Sequence, residues 1–99
     1  MLQPFKAIAR FTNRRHICGH VLEINASGAT IQLDSPAPGA SHLWLRFGLP
    51  DGYGDCLALG EILEVNNQSL RIRFKHLFPN DRRTLNRFVG TGDEDTIAA

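Results

Sequence analysis

The chain alternates between apolar and polar side chains along six short segments, which are separated by turn-forming residues. In the first segment every second residue from Phe5 to Phe11 is apolar, and Lys6 and Arg10 lie on the opposite side. Alternation with a period of two is typical of half-buried β-strands. The sequence therefore predicts six strands, at residues 5–11, 16–25, 29–35, 43–49, 56–65 and 70–76.

The stretches between the predicted strands have the composition of turns and loops. Residues 12–15 and 66–68 are short and polar, as in hairpin loops, and residues 36–39 contain two prolines and a glycine. Residues 25–28, Asn-Ala-Ser-Gly, predict a tight turn, because Asn and Ser accept backbone hydrogen bonds and Gly tolerates positive φ. Gly19 inside the second strand predicts a bulge or a sharp bend there.

After the sixth strand the apolar spacing changes from two residues to three and four. Leu85, Phe88 and Val89 follow the i, i+3, i+4 spacing of one helix face. Asn80 is predicted to cap the helix at its N-terminus, and Gly90 is predicted to end it. We expect this short helix to lie over the open end of the sheet.

The order of these elements indicates the fold class. Six short strands with hairpin-length connections and no helices between them predict an antiparallel sheet. A barrel is favoured because closure leaves no edge strand unpaired. The predicted fold is therefore all-β with one C-terminal helix, built as a six-stranded antiparallel barrel over residues 1–90. Residues 91–99 are predicted to form a disordered acidic tail.

Composition and charge place the chain among soluble globular proteins. Of its 99 residues, 42% are hydrophobic and 21% are charged. No apolar run approaches the roughly 18 residues of a membrane span, and the first residues do not begin a signal peptide, so a cytoplasmic protein without membrane insertion is expected. The net charge of +1 becomes +4 when the three acids of residues 91–99 are left aside, which permits an anionic partner. Cys18 and Cys56 are expected to be reduced and partly buried.

Three segments of the chain together match the pattern of one known family. They are Gly19-x-Val21-x-Glu23-Ile24-Asn25-x-Ser27 followed by Ile31-x-Leu33, Gly60-Glu61-Ile62 with Leu70-Arg71-Ile72-Arg73-Phe74, and Leu85-x-x-Phe88-Val89. The first resembles the (Asp/Asn)-x-Ser-x-x-Gly strand of the PilZ domain family, the second its central hairpin, and the third its terminal helix. The resemblance extends over about residues 5–89 and implies the PilZ-type barrel.

The resemblance also implies a ligand, because PilZ domains are best known as receptors for the bacterial second messenger cyclic di-GMP. In the family an Arg-x-x-x-Arg segment ahead of the first strand holds the phosphates and guanines, and the (Asp/Asn)-x-Ser-x-x-Gly strand adds polar contacts. Here Asn25 and Ser27 match that strand, whereas Thr30 occupies its Gly position. Arg10 and Arg14 have the spacing of the arginine pair but lie within the first strand and hairpin, so the family's arginine roles are not carried over to them.

The sequence therefore predicts an atypical PilZ-domain regulatory protein that acts as a protein–protein adaptor, with weak or no direct binding of cyclic di-GMP. The resemblance implies a setting in type IV pilus, motility or biofilm control, with another signalling or pilus-assembly protein as the partner. Trp44 lies off the apolar face of its strand and is the first candidate for a protein interface. The further interface candidates are Tyr53, Arg83 and Arg87.

Two alternatives stay open at this point. In the first, the protein is a direct cyclic di-GMP receptor, in which Asn25 and Ser27 bind the ligand together with arginines from other positions, Arg14 and Arg15. In the second, the alternating basic residues 71–75 and other arginines form a surface for single-stranded nucleic acid. Such a row is more often the solvated side of a sheet, and few aromatic residues are left for base stacking, so nucleic acid is not expected as a partner.

The sequence contains no recognisable catalytic or metal-binding arrangement. His16 and His20 lie four residues apart on a predicted strand, which separates them by about 13 Å, too far to share one metal ion. Neither cysteine has a partner at CxxC spacing, and no phosphate-binding loop or nucleophile elbow is present. We therefore expect a non-enzymatic protein with no catalytic residue, metal or cofactor, and with cyclic di-GMP as the one candidate ligand.

Overall fold

The computed structural model describes residues 4–12, 14–50 and 52–90 of the chain. Its elements are β1 (Phe5–Phe11), β2 (His16–Ile24), β3 (Gly28–Leu33), β4 (His42–Leu49), β5 (Gly54–Asn66), β6 (Ser69–Leu77) and α1 (Pro79–Gly90). All six predicted strands are present, with ends that differ from the predicted ranges by at most two residues. Within the described ranges, no helix is long and apolar enough to cross a membrane. The predicted tail, residues 91–99, lies outside the described residues.

The strands form one closed antiparallel barrel in the order β1-β2-β3-β6-β5-β4. Four of the strand pairs are sequence neighbours, whereas β3 pairs with β6 and β1 pairs with β4 across longer separations. The pairing of β1 with β4 closes the barrel, which removes the exposed edges that promote unwanted pairing between chains. The predicted all-β class, with a six-stranded antiparallel barrel and one C-terminal helix, is thus confirmed.

Strict alternation determines which side chains fill the barrel. In β1 every second residue from Phe5 to Phe11 is buried, and those between them are exposed. In β4 the side chains of Leu43, Leu45 and Phe47 are at most 1% exposed. α1 contributes Leu85, which is 0% exposed, so the helix completes the apolar core that the strands begin.

Five aromatic rings form a continuous series from the barrel interior to α1. Phe74 stacks on Phe47 with 6.2 Å between ring centroids, and Phe47 contacts Phe5 at 6.4 Å. Phe5 meets Phe88 of α1 edge to face at 6.3 Å, and Phe88 meets Tyr53 in the same way at 5.3 Å. Each such pair adds about 0.5–1.5 kcal/mol beyond the area that it buries. The series therefore fixes α1 and the β4–β5 loop to the core.

The start of α1 differs from the sequence prediction. The helix begins at Pro79, so Asn80 lies in its first turn and is not the N-cap. Proline suits the first helical position, because its φ is already helical and it has no N–H to leave without an acceptor. The carboxylate of Asp81 accepts a hydrogen bond from the N–H of Leu57 at 3.1 Å, which joins the first turn of α1 to β5.

Gly19 does not mark the predicted bulge. The irregularity in β2 lies between Val21 and Glu23, where β2 has one residue more than β3 opposite it. A Cβ atom added to Gly19 would lie 2.3 Å from the carbonyl oxygen of Gln32. Glycine is therefore required here by the close approach of two backbones.

The two cysteines differ in exposure. Cys18 is exposed on the outer face of β2, which contradicts its predicted partial burial, because the inward-facing residues beside it are Ile17 and Gly19. Cys56 is buried in β5. Burial, together with the nearby charges of Asp81 and Asp55, raises the pKa of Cys56 to about 11.

We expect iodoacetamide to label Cys18 quickly at pH 8 and to leave Cys56 unlabelled until the protein is unfolded in urea. The thiolate is the reactive form, and burial opposes its formation at Cys56. Peptide mass spectrometry measures both sites, and equal labelling of both in the native protein would contradict the assignment.

The unfolded chain loses the Cys56 proton near pH 9 and the folded chain near pH 11, so the free energy of unfolding should decrease as pH rises through this window.

Candidate functional site

The turn between β2 and β3 is organised by Asn25. Its Oδ1 accepts hydrogen bonds from the N–H of Ser27 at 2.8 Å and the N–H of Gly28 at 3.0 Å. The backbone N–H of Asn25 donates to the carbonyl oxygen of Gly28 at 2.9 Å. Ser27 is exposed, and its carbonyl oxygen accepts a hydrogen bond from the N–H of Phe74 at 2.7 Å. The Asn25 oxygen therefore has a structural role in the turn.

A surface groove of about 480 Å³ begins at this turn. The residues that line it, and that define the turn groove, are Glu23, Ile24, Asn25, Ser27, Gly28, Ala29, Thr30, Leu63, Arg71, Ile72 and Arg73. The pairing of β3 with β6 places Arg73 opposite Gly28 and Arg71 opposite Thr30. The structure thus brings the Asn–Ser pair singled out from the sequence next to two arginines of β6.

Both arginines of the turn groove are ion-paired. Nε of Arg71 lies 3.4 Å from Oε1 of Glu64, and Nη2 of Arg73 donates a hydrogen bond to Oε1 of Glu61. The hydrogen bond from Arg73 lowers the pKa of Glu61, because it stabilises the charged form of this carboxylate. Glu23 lines the groove, and Glu61 and Glu64 pair with its arginines from outside the lining, so three carboxylates accompany two guanidinium groups and the groove has no strong positive field.

Arg14 and Arg15, the other two predicted ligand-binding residues, lie at the opposite end of β2. They belong to the β1–β2 loop, whereas Asn25 follows the last residue of this nine-residue strand. At about 3.3 Å per residue, the two ends are roughly 30 Å apart. The structure therefore does not bring Arg14 and Arg15 into the same site as Asn25 and Ser27.

A second groove lies on the outer face of β1, β4 and β5 and also measures about 480 Å³. The residues that line it, and that define the Trp44 groove, are Ile8, Arg10, His16, Trp44, Arg46, Leu57 and Phe78. Strand register builds this surface, because Arg46 lies between Ile8 of β1 and Leu57 of β5. Trp44 lies opposite Arg10 on β1. Apolar and cationic side chains therefore alternate across neighbouring strands.

The Trp44 groove exposes apolar surface to solvent. Ile8 is 41% exposed and Phe78 is 48% exposed, and they are two of the four large apolar side chains that are exposed in the described part of the chain. Trp44 and Leu57 are half-buried, so each presents part of its side chain. The prediction that Trp44 lies off the inward-facing apolar side of its strand agrees with this position.

The other predicted interface residues do not line the Trp44 groove. Tyr53 is half-buried, and its ring packs against Phe88. Arg83 and Arg87 are exposed on α1. These residues would contribute to the same protein contact as Trp44 only if that contact extended over α1, and their interface role stays a prediction.

Sequence analysis missed several residues that share these grooves with the predicted ones. For Ile8 a signal was present, since it is a large apolar residue between Lys6 and Arg10 on the polar face of β1. For Arg46 and Phe78 no local signal exists, because their neighbours in the groove come from other strands. In residues 4–12, 14–50 and 52–90, no group of three or more His, Cys, Asp or Glu is placed to hold a metal ion.

Comparisons with known proteins identify the fold through structure. No protein-family model matches the sequence, and no curated protein matches it. The crystal structure of the PilZ domain of CeSA from a cellulose-synthesizing bacterium is 14% identical, with a TM-score of 0.71 over 94% of this chain and 96% of that chain. The PilZ domain with c-di-GMP of YcgR from Escherichia coli is 12% identical, with a TM-score of 0.71 over 96% of this chain and 86% of that chain. The barrel and helix of this chain thus have the PilZ-type fold, as the resemblance in the sequence predicted.

Proposed function

We propose that this protein is a non-enzymatic regulatory adaptor of the PilZ type, which binds another signalling or pilus-assembly protein through the Trp44 groove. Its proposed setting is bacterial cyclic di-GMP signalling in type IV pilus, motility or biofilm control, and its proposed location is the cytoplasm. The Trp44 groove carries the proposal, because it is an apolar surface with flanking arginines on a barrel whose interior is already filled by side chains.

The residue types of the Trp44 groove support a protein contact. Exposed apolar side chains that lie together, and are bordered by polar ones, are typical of protein interaction sites. Tryptophan and arginine are enriched among the residues that carry most of the binding energy at interfaces. The groove combines Trp44 with Arg10 and Arg46 and adds the exposed ring of Phe78.

Weak binding of cyclic di-GMP is supported by the charges of the turn groove. The ligand carries two phosphates and two guanines, and its recognition calls for guanidinium groups that are free to pair with phosphate. Arg71 and Arg73 are already paired with Glu64 and Glu61. A dianionic ligand would have to replace these carboxylates and would then lie close to them.

The first test replaces Trp44 with alanine. We expect the affinity for the partner to fall at least about 30-fold, or about 2 kcal/mol, because a large side chain in the centre of an apolar contact is removed. The partner is identified in the native host cell with a photo-crosslinking amino acid at position 44, followed by mass spectrometry. The affinity of the purified pair is then measured by isothermal titration calorimetry.

Leu63→Ala is the matched control for Trp44→Ala. Leu63 is 48% exposed but lies in the turn groove, so its removal should leave the affinity for the partner unchanged. A photo-crosslinker at position 63 should give no adduct with the same partner. Equal loss of affinity in both variants, or equal crosslinking from both positions, would contradict docking at the Trp44 groove.

Direct reception of cyclic di-GMP is the second candidate function. One observation favours it: the turn groove places Arg71 and Arg73 beside Asn25 and Ser27. These arginines would take the role that the sequence had assigned to arginines of the β1–β2 loop. The ion pairs with Glu61 and Glu64 support the adaptor over the receptor, because these glutamates compete with the ligand for the same guanidinium groups.

A titration of the amide NMR spectrum with cyclic di-GMP tests the second candidate. For the wild-type chain we expect no saturable shifts in the turn groove up to millimolar ligand. Glu61→Gln with Glu64→Gln should strengthen binding about tenfold, because hydrogen bonds from charged groups become available to the phosphates. Adding Arg71→Ala and Arg73→Ala to that variant should remove the gain. Saturable shifts in the wild-type chain would establish the receptor function instead.

A further inference from the structure

We infer that the partner segment that docks in the Trp44 groove is acidic, with Asp or Glu side chains on both sides of a large apolar residue. This inference rests on the proposed function, because it specifies the chemistry of the partner at the same surface. It follows from the distribution of charge in the groove, and the argument has three steps.

The first step concerns the apolar part of the groove. Trp44 and Leu57 on neighbouring strands are half-buried, and Ile8 and Phe78 are exposed beside them. Burial of apolar surface is the main favourable contribution to most protein association. A partner segment therefore gains most by placing at least one aliphatic or aromatic side chain among these four residues.

The second step concerns charge. Arg10 and Arg46 line the groove with His16, and no Asp or Glu is among the lining residues. Neither arginine forms an ion pair with a described residue. The carboxylate of Asp81 accepts a hydrogen bond from the N–H of Leu57, and Asp81 is not among the residues that line the groove. A guanidinium group matches the geometry of a carboxylate with two parallel hydrogen bonds, so each arginine is suited to one acidic side chain of the partner.

The third step is the position of the charges relative to the apolar surface. Arg10 lies directly opposite Trp44, and Arg46 lies directly opposite Ile8, in both cases between β1 and β4. These four residues form a square on the outer face, in which Ile8 and Trp44 occupy one diagonal and the two arginines the other, so one arginine lies on each side of the Ile8–Trp44 pair. A segment with one apolar side chain and an acid on each side of it satisfies both arginines at once.

The turn groove shows why this specificity belongs to the Trp44 groove. The two grooves have the same volume of about 480 Å³, but each arginine of the turn groove already has a carboxylate partner beside the groove. An acidic segment would meet repulsion from Glu23, Glu61 and Glu64 there. The arginines that line the Trp44 groove have no carboxylate among the other lining residues, so attraction within the groove favours an acidic partner.

Selection from a random-peptide phage library tests the inference on the full-length chain. The wild-type protein is the target, and a Phe78→Ser variant is used to remove peptides that bind elsewhere. We expect the selected peptides to contain Asp or Glu on both sides of an aromatic or aliphatic residue. In isothermal titration calorimetry, Arg10→Glu with Arg46→Glu should weaken their binding by about tenfold or more. Peptides with Lys in place of the acids should bind this charge-reversed variant better than the wild-type chain.

Three results would overturn the inference. Enrichment of neutral or basic peptides, or no enrichment over Phe78→Ser, would exclude an acidic segment. Self-association that depends on Trp44, measured by sedimentation velocity, would identify a second copy of the chain as the occupant. Selected peptides that bind a chain ending at Gly90 much more tightly than the full-length chain would identify residues 91–99, which include three acids and Ile97, as the occupant.

The inference and the proposed function fail in different ways. If crosslinking at position 44 identifies a partner whose docked segment is neutral or basic, the adaptor function stands and the acidic specificity is wrong. If no partner docks at position 44 and the turn groove saturates with cyclic di-GMP, the proposed function is wrong. Acidic peptides that compete with the crosslinked partner for the groove would support both.

Discussion

Replacing Phe47 with alanine should lower the free energy of unfolding by about 3–5 kcal/mol, because it removes a large buried side chain and leaves a cavity. Phe47 is 1% exposed and stands in the middle of the aromatic series, between Phe74 at 6.2 Å and Phe5 at 6.4 Å. Its loss therefore removes two ring contacts as well as the buried area. A domain of this length has a total stability of only about 5–15 kcal/mol, so a large part of it would be lost.

Phe78→Ala is the matched control, because it makes the same chemical change at a residue that is 48% exposed. Its free energy of unfolding should change by less than about 1 kcal/mol, since a surface residue leaves no cavity. Urea denaturation followed by circular dichroism measures both variants. If both lose the same stability, the barrel interior is less well packed than the ring contacts indicate.

The two phenylalanines also separate folding from function. Phe78→Ala should remain folded and still lose the affinity for a partner that docks in the Trp44 groove. Phe47→Ala should lose stability, whereas the molecules that remain folded should bind that partner normally, since Phe47 faces the core. If Phe47→Ala lowers only the stability and Phe78→Ala lowers only the affinity for the partner, the exposed apolar surface is retained for binding.

The strands could be predicted from the sequence because most of them have one face in the core and one in solvent. In β1 the alternation is complete, and its predicted ends at Phe5 and Phe11 are the observed ones. In β2 the pattern was ambiguous, since Cys18 belongs to a residue type that is often buried but faces outward here. The start of α1 was misplaced because proline at the first helical position replaced the cap that Asn80 would have supplied.

The candidate sites could be predicted only in part, because their residues come from strands that are distant in the sequence. Asn25 and Ser27 are close in the chain, and their turn chemistry was visible. Their neighbours Arg71 and Arg73 depend on the pairing of β3 with β6, which no local pattern specifies. Trp44 was found because an aromatic residue stood out on the polar side of its strand.

Gly28 is the residue that joins the candidate ligand surface to the barrel. It ends the turn that Asn25 organises, and it begins β3 opposite Arg73 of β6. A Cβ atom added to Gly28 would lie 2.2 Å from the carbonyl oxygen of Ile72 and 3.2 Å from the Cα atom of Arg73. Both contacts are with backbone atoms, so no side-chain rotation can relieve them.

Gly28→Ala should therefore separate β3 from β6 at this end and lower the free energy of unfolding by about 2–3 kcal/mol, which is the cost of an extra methyl group in a tightly packed place. The N–H of Phe74, which donates to the carbonyl oxygen of Ser27 at 2.7 Å, should exchange with solvent faster. Gly39→Ala is the control, because a Cβ atom there meets nothing within 4 Å, and its stability should stay equal or rise slightly. Urea denaturation and amide hydrogen exchange measure the two variants. Equal stability of both would mean that β3 and β6 can move apart at little cost, and the arginines of β6 would then not be held in fixed positions beside the turn.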